Sequence, residues 1–171
     1  MKEKLQEYII KNYLPDIRVR SKKSNIITND LDNKKLSKAY NTNEYQTSKI
    51  DNFINKSITN TSFQELLFKY IDERNLKDSD VYNKVHIDRR LFSKIRSDIN
   101  YHPSKETVIL LGLSLKLNEE EIDKLLNSAA YSLPKNNIYD LIIRFCFKEG
   151  IYELKDVNDL LETYNCKLFS C

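Results

Sequence analysis

At 171 residues, with 40% apolar and 31% charged positions, the chain is sized for one domain with appendages, and no run of eighteen apolar residues is present to span a bilayer. A net charge of +3 is too small to select a partner by itself. The three cysteines (Cys146, Cys166, Cys171) and two histidines (His86, His102) form no CxxC or paired-ligand spacing, so no metal site is expected.

The start, Met1-Lys2-Glu3-Lys4, is charged and lacks the apolar core of a secretory signal, so a cytoplasmic location and no membrane partner are expected. Leu5, Tyr8, Ile9, Ile10 and Tyr13 recur at helical spacing and predict an N-terminal helix that Pro15 stops. From 16 to 60 the sequence is rich in Asn, Lys, Ser and Thr without a persistent period, which reads as a flexible linker. Ile50, Phe53 and Ile54 allow one short helix there, at 48–56.

A series of helices follows. The first starts at Phe63 behind a Ser62/Glu65 capping box and runs to about Arg74. The second spans Asp78 or Ser79 to Lys84 and buries Val81. The third, capped by Asp88, carries Leu91, Phe92 and Ile95 on one side and Arg89, Arg90, Lys94 and Arg96 mostly on the other. Ser104 caps a fourth that is apolar nearly all round and therefore central. Asn118 and Glu121 cap a fifth, and Pro134 ends that unit. Ile138–Glu149, closed by Gly150, and 154–164 complete the series. The helix at 138–149 is too apolar to be solvated on every side, and is either core or a dimer face; Cys146 within it reads as a small buried hydrophobe. With two glycines and no alternating apolar pattern, the fold class is all-α. The expected organisation is an N-terminal helix (1–15), a linker (16–60), a five-helix domain (61–130) and a C-terminal helical extension (131–171).

Charge is unevenly placed. Residues 1–61 hold twelve Lys/Arg against seven Asp/Glu, whereas 62–130 and 131–171 each carry one more acid than base. Within 84–105, six cations (Lys84, Arg89, Arg90, Lys94, Arg96, Lys105) meet only Asp88 and Asp98. A local excess of this kind is what phosphate binding requires, and it is also what a solvated helix face looks like.

Val81 in the second helix, Ile87 in the turn, Phe92 and Ile95 in the third, Pro103-Ser104-x-Glu106-Thr107 at the entry to the fourth, and Leu111, Leu115 and Leu117-Asn118 at its end resemble the λ-repressor-like, Xre-type helix-turn-helix family over residues 63–127. Three positions depart from it. Tyr82 stands where a small residue is usual, His86 where the turn has glycine, and Asp78 where a phosphate-contacting glutamine is usual. The run Ile87 to Asp98, the Leu-rich fourth and fifth helices and the 140–147 helix resemble a narrower group of small helical modules, found alone or at the ends of larger proteins that include macrodomain carriers.

The helix-turn-helix resemblance implies a non-enzymatic, DNA-binding transcriptional regulator. Arg89, Arg90, Ser93, Lys94 and Ser97 would face base edges, and Lys84, Arg96, His102 and Lys105 would lean on phosphates. Double-stranded DNA is the expected partner, with a homodimer as one arrangement and a protein partner for the N-terminal helix. The plainer reading of the same charges pairs Arg96 with Asp98 or Glu106, and Arg89 with Asp80. The alternative function is a protein–protein adaptor with a degenerate helix-turn-helix fold, in a phage-defence or stress-response setting. No glycine-rich phosphate loop or nucleophile motif is found, so neither an enzyme nor a cofactor is expected.

Overall fold

The computed structural model describes residues 1–14, 51 and 61–170. It is all-α: among the described residues there are eight helices and no strand. They are α1 (Lys2–Asn12), α2 (Phe63–Glu73), α3 (Asp78–Lys84), α4 (Arg89–Ser97), α5 (Lys105–Ser114), α6 (Glu119–Ser128), α7 (Ile138–Glu149) and α8 (Leu154–Thr163). The linker expected over 16–60, with its short helix at 48–56, lies outside the described residues apart from Asp51. Among the described residues no helix is long and apolar enough to cross a membrane.

Five of the eight described helices begin where side chains satisfy the orphan N–H groups of a first turn; α1, α3 and α8 have no side-chain cap. Ser62 with Glu65 and Asn118 with Glu121 each close a full capping box, while Asp88, Ser104 and Asn137 accept from backbone N–H groups in the first turns of α4, α5 and α7.

Six of the eight described helices share one device at the C-terminal end, whereas α1 and α4 run out into extended backbone at Tyr13 and Asp98. Asn75, His86, Lys116, Ala130, Gly150 and Asn165 all lie in the left-handed region, with φ between 51° and 70°. After each, the next residue (Leu76, Ile87, Leu117, Tyr131, Ile151, Cys166) donates its N–H to a carbonyl five residues back. That bond is the signature of a Schellman ending, which pairs carbonyls a helix terminus leaves open. Only one of the six uses glycine. His86 occupies the turn between α3 and α4 at φ 54°, so the histidine adopts the conformation for which glycine was expected, and accepts its cost.

α5 is the central helix: every residue from Thr107 to Ser114 is buried. It packs against α3 and α6; α2 lies on α6, and α7 on α6 and α8. The crossing is close because of Gly112, where an added Cβ would lie 2.5 Å from Ile122 Cδ1 and 3.1 Å from Phe147 Cζ. α7, for which core and dimer face were both open, is core: Leu141, Ile142, Ile143, Phe145, Cys146 and Phe147 are buried. Burial pushes the Cys146 thiol up to about 12, so it behaves as a hydrophobe.

Residues 61–130 and 131–170 thus share one hydrophobic core, and α1 belongs to it too. Leu5 and Ile9 are buried against α7, and the Tyr8 ring lies 5.4 Å from Phe145. The final segment is tied down as well: Phe169 is buried, and the Asn158 side chain both donates to its carbonyl and accepts from its N–H.

Candidate nucleic-acid interface

α3 and α4 are two short helices joined by a tight turn, and α4 is fixed at both ends and along its back. Phe92 and Ile95 bury its inner side. At its start the Asp88 carboxylate accepts from Arg90 N–H at 2.6 Å. At its end Gln64 of α2 donates to the Ile95 and Asp98 carbonyls at 2.5 and 2.6 Å, and the Asp98 carbonyl also accepts from the Tyr101 N–H at 3.0 Å, so the last turn is closed from outside the helix. α3 is held from beneath by a buried bond from Ser114 Oγ to the Val81 carbonyl at 2.6 Å. Tyr82 packs its ring 5.5 Å from Phe92, filling the place where a small residue was expected.

The outer side of α4 presents the expected base-facing set together. Arg89, Arg90, Ser93, Lys94 and Ser97 are all exposed. Among the described residues Arg89 and Arg90 meet no carboxylate, so the anticipated Arg89–Asp80 pair does not form. Lys94 lies 4.9 Å above the Tyr101 ring, a contact that retains its charge.

The expected phosphate-facing set is not assembled in the same way. Arg96 pairs with Asp78 at 2.5 Å, rather than with Asp98 or Glu106, and stacks 4.1 Å over Phe68. Lys84 turns toward Glu153 at the start of α8, 3.9 Å away. Lys105 turns to α7, where it meets the buried Asp140 carboxylate at 2.6 Å. A carboxylate in low dielectric requires a partner, and Lys105 is the cation within reach. His102 remains exposed, its ring edge-on to Tyr131 at 5.3 Å, while Tyr131 donates to the Pro103 carbonyl. Three of these four residues thus have their charge matched from within the chain.

Between α3 and α4 runs a groove of about 430 Å³, floored by Tyr82 and Phe92 and walled by Lys77, Asp78, Ser79, Arg89, Ser93 and Arg96. Lys77 is an exposed cation that sequence reading overlooked, because it precedes α3 and follows no motif. A larger groove of about 710 Å³ lies elsewhere, lined by Ile109, Ile138, Tyr139 and Cys166. Its charges are internally matched, Lys105 with Asp140 and Lys167 with Glu106, and burial pushes the Tyr139 phenol well up. Among the described residues no His, Cys, Asp and Glu cluster could hold a metal ion.

Compared with protein-family models, curated proteins and solved structures, the chain matches none. The protein is all-α and presents a cationic helix whose inner side is buried in the core.

Proposed function

We propose that the protein is a non-enzymatic, DNA-binding regulator of the helix-turn-helix type, with α3 as supporting helix and α4 as reading helix. One observation carries this reading: Arg89, Arg90 and Lys94 stand exposed on the outer side of a helix whose back and both ends are locked. A pre-ordered cationic ridge loses little entropy on meeting a phosphate-lined groove, and arginines near the start of a reading helix suit guanine edges.

The internal ion pairs make the reading quantitative. With Lys77 added, four cations on this face lack a carboxylate among the described residues. At about 0.9 counterion per neutralised phosphate, the slope of log K against log salt is about −3.6 per protomer, and affinity falls about 10²-fold between 50 and 200 mM salt. The test is anisotropy titration of the full chain against mixed-sequence duplex DNA across that range. The R89A/R90A/K94A variant is expected to flatten the slope to about −1.

The second reading is a protein-binding adaptor, favoured by α1 and the residues just after it. Ile10 and Leu14 remain 83% and 64% exposed although Leu5 and Ile9 are docked. Absence of any salt-sensitive duplex binding at 50 mM salt decides for the adaptor.

A further inference from the structure

Arg89, Ser93 and Arg96 are spaced four and three residues apart and so form one stripe of α4. That stripe faces Lys77, Asp78 and Ser79 across the groove. Three cations and two serine hydroxyls therefore converge on one small volume, and among the described residues the one anion lining it is the Asp78 carboxylate, seated on the Arg96 guanidinium. Asp78 and Arg96 are 37% and 51% exposed along their side chains, so their pairing is reversible at little cost and Asp78 is open to competition. A guanidinium receives phosphate in the same forked geometry in which it receives a carboxylate.

Resting on the DNA reading above, we propose that this groove is the seat of one backbone phosphate of the duplex, and that the Asp78 carboxylate holds the seat in the free protein. Asp78 thereby limits affinity. A phosphate entering the seat takes over Arg96, is flanked by Lys77 and Arg89, and accepts from Ser79 and Ser93. Asp78 must turn outward as it arrives. The residue that departs from the helix-turn-helix pattern becomes, on this account, a built-in competitor rather than a lost contact.

The test uses the full chain as wild type, D78N, R96A and D78N/R96A, titrated with the same duplex at several salt concentrations, with thermal unfolding of each variant as the folding check. D78N keeps the side-chain shape and removes the competing charge. It is expected to bind about eightfold more tightly at 0.1 M salt and to steepen the salt slope by about 0.9, the increment for one more cation freed of its internal carboxylate. The double variant should lose both gains, because they run through Arg96. A D78N protein that is folded and binds no better than wild type overturns the seat while leaving the DNA reading intact. So does a gain that survives R96A, which marks a general charge effect. A wild type and a D78N protein that both ignore duplex at 50 mM salt overturn the DNA reading and the seat together.

Discussion

Gly112 allows the sharpest calculation of what the scaffold tolerates. In G112A the new Cβ would sit 2.5 Å from Ile122 Cδ1 and 3.1 and 3.3 Å from two atoms of the Phe147 ring. Both neighbours are buried, at 1% and 2% exposure, so neither can swing into solvent. Relief requires Ile122 to move by about 1 Å into a close-packed core, and such overpacking costs about 1–3 kcal/mol. Alanine's better helix propensity returns about 0.8–1 kcal/mol. Because two buried side chains must yield, we expect the upper part of that range, a net loss of about 1–2 kcal/mol. A unit of this size has an unfolding entropy of about 0.25 kcal/mol/K, so Tm falls by about 4–8 °C. Urea and thermal unfolding by circular dichroism measure this directly, with an unchanged m-value confirming that only stability moved. I122V is the partner variant, since it deletes the very atom that clashes. Alone it costs about 0.5–1.5 kcal/mol, but combined with G112A it should recover about 1 kcal/mol relative to the sum of the single changes. A neutral G112A, or strict additivity in the double variant, refutes the packing argument.

Two further outcomes follow from the helix termini. Ala130 is exposed at φ 56°, a conformation that costs a non-glycine residue about 1–2 kcal/mol, whereas a glycine there costs about 0.4–1 kcal/mol in unfolded-chain entropy. A130G is therefore expected to raise stability by about 0.5–1 kcal/mol in urea unfolding, opposite to the effect of glycine inside a helix. The Glu121 carboxyl is held below its ordinary value: burial alone would raise it, but the Asn118 N–H and the Arg74 guanidinium together outweigh that. A depressed folded pKa contributes stability above the unfolded value and loses it as pH falls through the folded one. Wild type should accordingly lose stability below about pH 4.3 more steeply than E121Q, as read from urea midpoints between pH 3 and 7.

The helices were legible in the sequence because their signals are local. The apolar spacing of Leu67, Tyr70 and Ile71 or of Phe92 and Ile95, and the cap pairs Ser62/Glu65 and Asn118/Glu121, lie within a turn or two of what they specify. Helix ends were harder to read, because Asn75, His86, Lys116, Ala130 and Asn165 take up left-handed geometry without the glycine that usually announces it. The exposed ridge of Arg89, Arg90 and Lys94 was legible for the same local reason as the helix that bears it. Its surroundings were not. Asp78–Arg96, Lys84–Glu153 and Lys105–Asp140 join residues 18, 69 and 35 positions apart, and Gln64 reaches 34 residues to close α4. Such partnerships are set by how helices stack, and no spacing rule along one helix records them.

The placement of α7 limits how the cationic face can be borrowed. Asp140 engages the residue that opens α5, and Phe147 closes over Gly112. An excised piece stopping near residue 130 would therefore bare the middle of its own central helix. Whoever transplants the cationic helix has to carry α1 and residues 61–170 together, since all of them share that core.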